Sequence, residues 1–218
     1  EWALKLMKTD SKNVEINEIM ENEINFLKNV NHPNIIKLYD YATDIQACDF
    51  HENLVYLHSM ELEYAEYGDL YDFVWKTGRF SEKEARYLFH QLIDALEYIN
   101  KKGYCHRDIK LENLLLDHEF NLKIGDFGFC TKSDTWSSCV GTISYMAPEI
   151  LQKEEYDAKQ TDLFSAAIIL FIMVLEHPPF CKASDHDRYY KKVITGDFKK
   201  FWQVHEKKLK IKGHGLSD

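Results

Sequence analysis

The chain has 218 residues, 45% hydrophobic, 14% aromatic and 29% charged, enough for one domain or two small lobes around a sizeable core. Lys and Arg number 27 against 36 Asp and Glu, a formal charge of -9, which excludes a broadly basic nucleic-acid surface; the lysines from Lys191 to Lys212 read as a solvated helix face. Five cysteines (Cys48, Cys105, Cys130, Cys139, Cys181) form an odd set without a C-x-x-C pair. They point to reduced thiols in an intracellular, cytoplasmic setting rather than to disulfides or a zinc site. The longest apolar run, Leu163 to Leu175, has 13 residues and reads as a buried helix, so no transmembrane segment is expected. The chain opens on Glu1 without a secretory leader pattern and reads as a fragment of a longer protein.

Trp2–Met7 reads as an apolar strand with Lys5 inside it, and a buried ammonium needs a counter-charge. Over Ile16–Val30, apolar Ile16, Ile19, Met20, Ile24 and Leu27 recur at helical spacing, and Glu23 shares their inward face. Lys5 and Glu23 are therefore candidate partners; the plain alternative is a snorkelling Lys5 and a rim Glu23. Pro33 stops the helix, and a strand is expected from Ile35 to Tyr41. Thr43–Asn53 reads as a polar connector, followed by a strand over Leu54–Tyr64 and a loop at Tyr67–Asp69.

Ser81 and Glu84 form a capping-box signature. The helix they open runs through Tyr98, with Ala85, Leu88, Leu92, Ala95, Leu96 and Ile99 as its core stripe, and Gly103 closes it. Leu114–Leu116 and Leu122–Ile124 flank the polar turn Asp117–Asn121, the pattern of a β-hairpin. A hairpin brings its outer ends together, so Asp108 and Asn113 fall near Asp126. Oxygen donors gathered this way suit a hard cation such as Mg²⁺. Gly125 and Gly128 bracket Asp126 and leave the backbone free to turn. A hydroxyl-rich stretch from Thr131 to Ser138 follows. Further helices are expected over Tyr156–Leu175, Asp187–Val193 and Phe201–Leu209.

His106-Arg107-Asp108-Ile109-Lys110-Leu111-Glu112-Asn113, then Asp126-Phe127-Gly128, then Ala147-Pro148-Glu149, resembles the ordered signature set of the eukaryotic protein kinases. Trp2–Met7 resembles the lysine-bearing third strand of that family, and Glu63–Leu70 its inter-lobe hinge. The resemblance covers nearly the whole chain. It implies an α+β, bilobal fold, with residues 1–66 as a partial N-lobe and 67–218 as a C-lobe. No Gly-x-Gly-x-x-Gly loop occurs in the sequence. Lys110, two residues after Asp108, and Thr142 in Gly-Thr resemble the Ser/Thr-directed branch, closest to the calmodulin-dependent and AMP-activated kinase group. Leu111, Ile143, Phe164 and Ala167 depart from the usual pattern, and none removes a charge or a ligand.

The resemblance implies Mg²⁺-dependent transfer of the γ-phosphate of ATP to Ser/Thr hydroxyls of protein substrates. Asp108 would orient the hydroxyl and accept its proton, Lys110 would stabilise the γ-phosphate, and Asn113 and Asp126 would hold Mg²⁺. Lys5, paired with Glu23, would hold the α- and β-phosphates. Ala3, Leu62 (the gatekeeper), Glu63, Ala65 and Leu115 would line the nucleotide site. Asp69 would face the ribose, and Glu112 would stand by the nucleotide and the peptide groove. Asp162 would fix the backbone around His106–Asp108. Arg107 would meet a phosphate on the hydroxyl-rich loop, with Ser138 in the usual position. The competing expectation is a kinase-fold interaction or scaffold module without phosphoryl transfer, which has no need of all six of Lys5, Glu23, Asp108, Lys110, Asn113 and Asp126.

Overall fold

The computed structural model describes residues 1–8, 14–48, 51–132, 135–136, 139–153 and 155–211. Strands β1 (Trp2–Lys8), β2 (Leu38–Cys48) and β3 (Leu54–Glu63) form an antiparallel sheet in the order β1-β3-β2. Alternation along β1 turns Ala3, Lys5 and Met7 inward and leaves Trp2, Leu4 and Leu6 exposed. Helix α1 (Val14–Leu27) packs its apolar stripe on the sheet, where Met20 and Ile24 meet Met60 of β3. Lys5 stands opposite Met60 in the β1–β3 register.

Two expectations are corrected here. Thr43–Cys48 is not a connector, because β2 runs on to Cys48 and pairs with Leu54–Leu57, with register shifts at Leu38/Asp40 and Ala42/Ile45. Backbone pairing on this strand is indifferent to its polar side chains, and the irregular register hides the period of two. The strand also begins at Leu38, not Ile35. Ile36 donates its N–H to the Ile124 carbonyl instead, at 2.9 Å.

The remainder is largely helical. Helix α2 (Leu70–Thr77) precedes α3 (Glu82–Lys101), which opens on the expected capping box: Ser81 N–H to Glu84 Oε2 at 2.7 Å, and Glu84 N–H to Ser81 Oγ at 3.3 Å. All six stripe residues of α3 are buried. The hairpin forms as β4 (Leu114–Leu116) and β5 (Leu122–Ile124), with Leu114 opposite Ile124. A short pair, β6 (Thr135–Trp136) and β7 (Tyr156–Asp157), and helix α4 (Pro148–Gln152) lead to α5 (Ala158–Leu175). Helix α5 is long and apolar enough to cross a membrane by length and composition alone. Half of it is buried inside the molecule, packed on α3, as in the core helix of a globular lobe. The next helix, α6 (Tyr190–Ile194), starts at Tyr190 because Asp187 stays outside and accepts from the N–H groups of Tyr189 and Tyr190. Helix α7 (Phe198–Ile211) follows.

Candidate active site

Strand β1 and helix α1 place a cation and an acid on facing surfaces. Lys5 Nζ donates to Glu23 Oε2 at 2.6 Å, and Glu23 is 1% exposed. The same ammonium reaches Asp126 Oδ1 at 3.2 Å, from the turn after β5. Burial pulls the Lys5 pKa down, but Glu23 and then Asp126 more than offset it, so the ammonium is held above its usual range. Burial likewise pushes the Glu23 carboxyl up, against the pull of Lys5. Asp126 adopts a left-handed backbone, φ 57°, and Phe127 behind it is fully buried between Phe26 (4.3 Å, stacked) and His106 (4.8 Å).

The His106–Asn113 segment is built on buried hydrogen bonds. His106 Nδ1 accepts the Asp108 N–H at 3.2 Å, so the neutral ring carries its proton on Nε2, 3.1 Å from the Gly125 carbonyl. This joins the loop to the turn bearing Asp126. Asp162 accepts the N–H groups of His106 and Arg107, and Arg107 Nε donates to the Phe129 carbonyl at 2.8 Å. Asp108 is 7% exposed and receives Lys110 Nζ at 2.6 Å and Thr142 Oγ1 at 2.9 Å. Lys110 also donates to Thr142, at 3.2 Å. Asn113 Nδ2 donates to the Asp108 carbonyl at 2.8 Å and to its Oδ2 at 3.3 Å.

A cleft of about 390 Å³ lies between the sheet and the hairpin, a size suited to a small-molecule site. Ala3, Lys5, Glu23, Leu62, Glu63, Ala65, Glu112, Asn113, Leu115 and Asp126 all line it. Asp69 does not. Its carboxylate accepts the Asp72 N–H at 2.8 Å and caps α2, while its backbone bridges to Leu115. Asp108 and Lys110 sit beyond the cleft lining, tied to it through Asn113. Sequence reading missed Ile36, Tyr64 and Gly125 among the lining residues. It also gave Thr142 no contact with Asp108, although its place after Gly141 carried the signal. Ser138 lies outside the described residues.

The donor set fits Mg²⁺. Asn113 spends its amide nitrogen on Asp108 and keeps its oxygen as an acceptor, while the Asp126 side chain is 52% exposed at the cleft. Among the described residues no three His, Cys, Asp or Glu side chains converge as a metal site. The protein thus offers part of an oxygen shell, of the kind Mg²⁺ completes with water and substrate phosphates.

An antiparallel-sheet lobe on a helical lobe, with Asn113 and Asp126 meeting at the cleft and Asp108 tied to Asn113 behind it, is the arrangement of the eukaryotic protein kinases. Residues 1–214 match the protein kinase domain family model, and the chain belongs to that family. It is 35% identical over 90% of its length to CBL-interacting protein kinase 11 of Oryza sativa subsp. japonica, spanning 38% of that protein. It is 36% identical over 83% of its length to CBL-interacting serine/threonine-protein kinase 26 of Arabidopsis thaliana, spanning 40%. It is 37% identical over 89% of its length to serine/threonine-protein kinase SAPK2 of Oryza sativa subsp. indica, spanning 55%. The chain therefore covers well under two thirds of these curated relatives.

Proposed function

We propose that this chain transfers the γ-phosphoryl group of ATP to Ser/Thr hydroxyls of protein substrates. The observation that carries the reading is Lys5 Nζ, held 2.6 Å from Glu23 and 3.2 Å from Asp126 at one cleft. A fixed cation at that point supplies the charge that the α- and β-phosphates need. Across the hairpin, Asp108 is the acid that orients the incoming hydroxyl and accepts its proton. Thr142 and Lys110 hold that carboxylate, and in this reading Lys110 neutralises charge on the γ-phosphate. Asn113 and Asp126 would hold Mg²⁺, which supplies charge neutralisation at the phosphates. Leu62, Ala65, Ala3 and Leu115 give the adenine apolar walls, and Glu63 begins the hinge.

Residues 1–66 form the N-lobe in this reading and 67–218 the C-lobe. An intracellular, cytoplasmic setting is in keeping with five cysteines outside any disulfide. A scaffold without phosphoryl transfer is not favoured, because Glu23, paired with Lys5, and the hydrogen-bonded Asp108 each bury charge that a scaffold does not need. Phosphate transfer from Mg-ATP to a Ser/Thr peptide, compared with the Asp108→Asn variant, tests the proposal.

A further inference from the structure

Glu63 ends β3 and lines the cleft, yet both of its carboxylate oxygens are engaged by other groups. Oε1 accepts from Lys123 Nζ at 2.6 Å, and Oε2 from the Lys37 N–H at 3.2 Å. Lys123 is the middle residue of β5 and is only 9% exposed. A lysine with a route to water snorkels its ammonium outward; this one ends on Glu63. Its other anionic neighbour, Asp117 Oδ2, lies at 3.8 Å, and Asp117 already accepts the N–H groups of Glu119 and Asn121.

The backbone around Lys123 is fixed on both sides. Leu122 N–H donates to Gln91 Oε1 at 2.7 Å, Asn34 Nδ2 donates to the Leu122 carbonyl at 2.9 Å, and Ile124 N–H donates to the Asn34 carbonyl at 2.9 Å. This strand runs through Gly125 into Asp126. The segment after β3 is tied to the same hairpin at its far end, by Tyr67 N–H to the Leu116 carbonyl (3.1 Å) and Leu116 N–H to the Gly68 carbonyl (2.8 Å). Glu63–Gly68 is thus a strap held to β4 by main chain at one end and to β5 by an ion pair at the other. An ion pair drawn partly out of water gives little net stability over an apolar pair of the same shape. What it does give is a fixed distance.

We propose that Lys123 is a positioning residue for the nucleotide. Acting through Glu63, it sets the hinge backbone at Glu63–Ala65 against the strand that carries Asp126. The adenine end and the phosphate end of the cleft then share one rigid reference. This inference rests on the nucleotide reading of the cleft given above.

The test is steady-state kinetics on the full-length protein carrying Lys123→Met, Glu63→Gln, both together, and Lys123→Arg. Each single variant is expected to raise KM for Mg-ATP about tenfold with kcat within about twofold, and the double variant is expected to be no worse than either single. Lys123→Arg keeps a cation and stays within about twofold of wild type. Hydrogen exchange at Glu63 and Tyr67, whose N–H groups are bonded to the Lys37 and Leu116 carbonyls, measured without nucleotide, accelerates in Lys123→Met. An unchanged KM in Lys123→Met, or single effects that multiply in the double variant, overturns the proposal. If wild-type protein transfers no phosphate, the nucleotide reading fails on its own, and the exchange measurement still decides the tie: unchanged exchange in Lys123→Met overturns it.

Discussion

Asp162 at the start of α5 accepts the His106 N–H at 2.7 Å and the Arg107 N–H at 2.8 Å, from 56 and 55 residues away in sequence. The bonds hold Arg107 in a left-handed backbone, φ 67°, a state that costs a non-glycine residue about 1–2 kcal/mol. Asp162 is 1% exposed, and burial pushes its carboxyl up against the opposing pull of His106 and Arg107. Asp162→Ala leaves two N–H groups without their acceptor and releases the strained turn. It is expected to lower unfolding stability by about 2–4 kcal/mol and to reduce kcat, since Asp108 loses its backbone support. Urea denaturation and steady-state assays check both effects; an unchanged midpoint counts against the role.

Glu23→Gln keeps the shape of the Lys5 partner and removes its charge. Lys5 then keeps Asp126 as its anion and is drawn toward the turn after β5. The expected result is a fall in kcat/KM for ATP on the order of 10–100-fold, at ~1.4 kcal/mol per factor of ten. Activity equal to wild type would show that the pair is not needed.

Gly141 has φ 103°, and a Cβ there would lie 2.6 Å from the Arg107 carbonyl oxygen and 3.4 Å from Asp108 Oδ1. Gly196, at φ 72°, has nothing within 4 Å of its would-be Cβ. Gly196→Ala is therefore expected to cost only the backbone strain, about 1–2 kcal/mol, with activity retained. Gly141→Ala adds a clash with a backbone atom of the catalytic loop and is expected to lose most activity as well as stability. Similar activities for the two variants would refute the difference.

His205 is fully buried on α7. His177 Nδ1 lies 2.6 Å from the Leu175 carbonyl, so His177 Nε2 accepts from His205 Nδ1 at 2.9 Å. That leaves His205 Nε2 a buried atom without a hydrogen-bond partner. Burial, then His177 and Lys208, hold its pKa down to about 4, below the ordinary 6.5. The unfolded chain therefore binds the extra proton first as pH falls, and stability from this group is lost from about pH 6.5 down toward 4. The loss is expected to be roughly 1–2 kcal/mol, which lowers Tm by several degrees between pH 7 and pH 5. His205→Phe should flatten that slope; an equal slope in both proteins would contradict it.

Much of this molecule can be read from local pattern. The β4–β5 hairpin, the capping box of α3 and the buried stripe behind it obey short-range rules, and all three form as expected. The Lys5–Glu23 pair was legible because an acid on an apolar helix face requires a base. Contacts set by tertiary arrangement were not. Thr43–Cys48 joins a strand that its side chains do not announce, and Asp69 is used as a helix cap because a carboxylate before Leu70 meets the free N–H groups of α2 first. Thr142 reaches Asp108 only once the segment after the hydroxyl-rich loop folds back over the catalytic loop. The Lys123–Glu63 tie joins residues 60 apart in sequence and has no local signature.

Asp108→Asn tests the central claim most directly. The substitution keeps the side chain's size and can still accept from Thr142, so circular dichroism and the urea midpoint should stay close to wild type. Transfer of phosphate from Mg-ATP to a Ser/Thr peptide should fall by at least about 10³-fold. Undiminished transfer by a correctly folded Asp108→Asn protein would contradict the account.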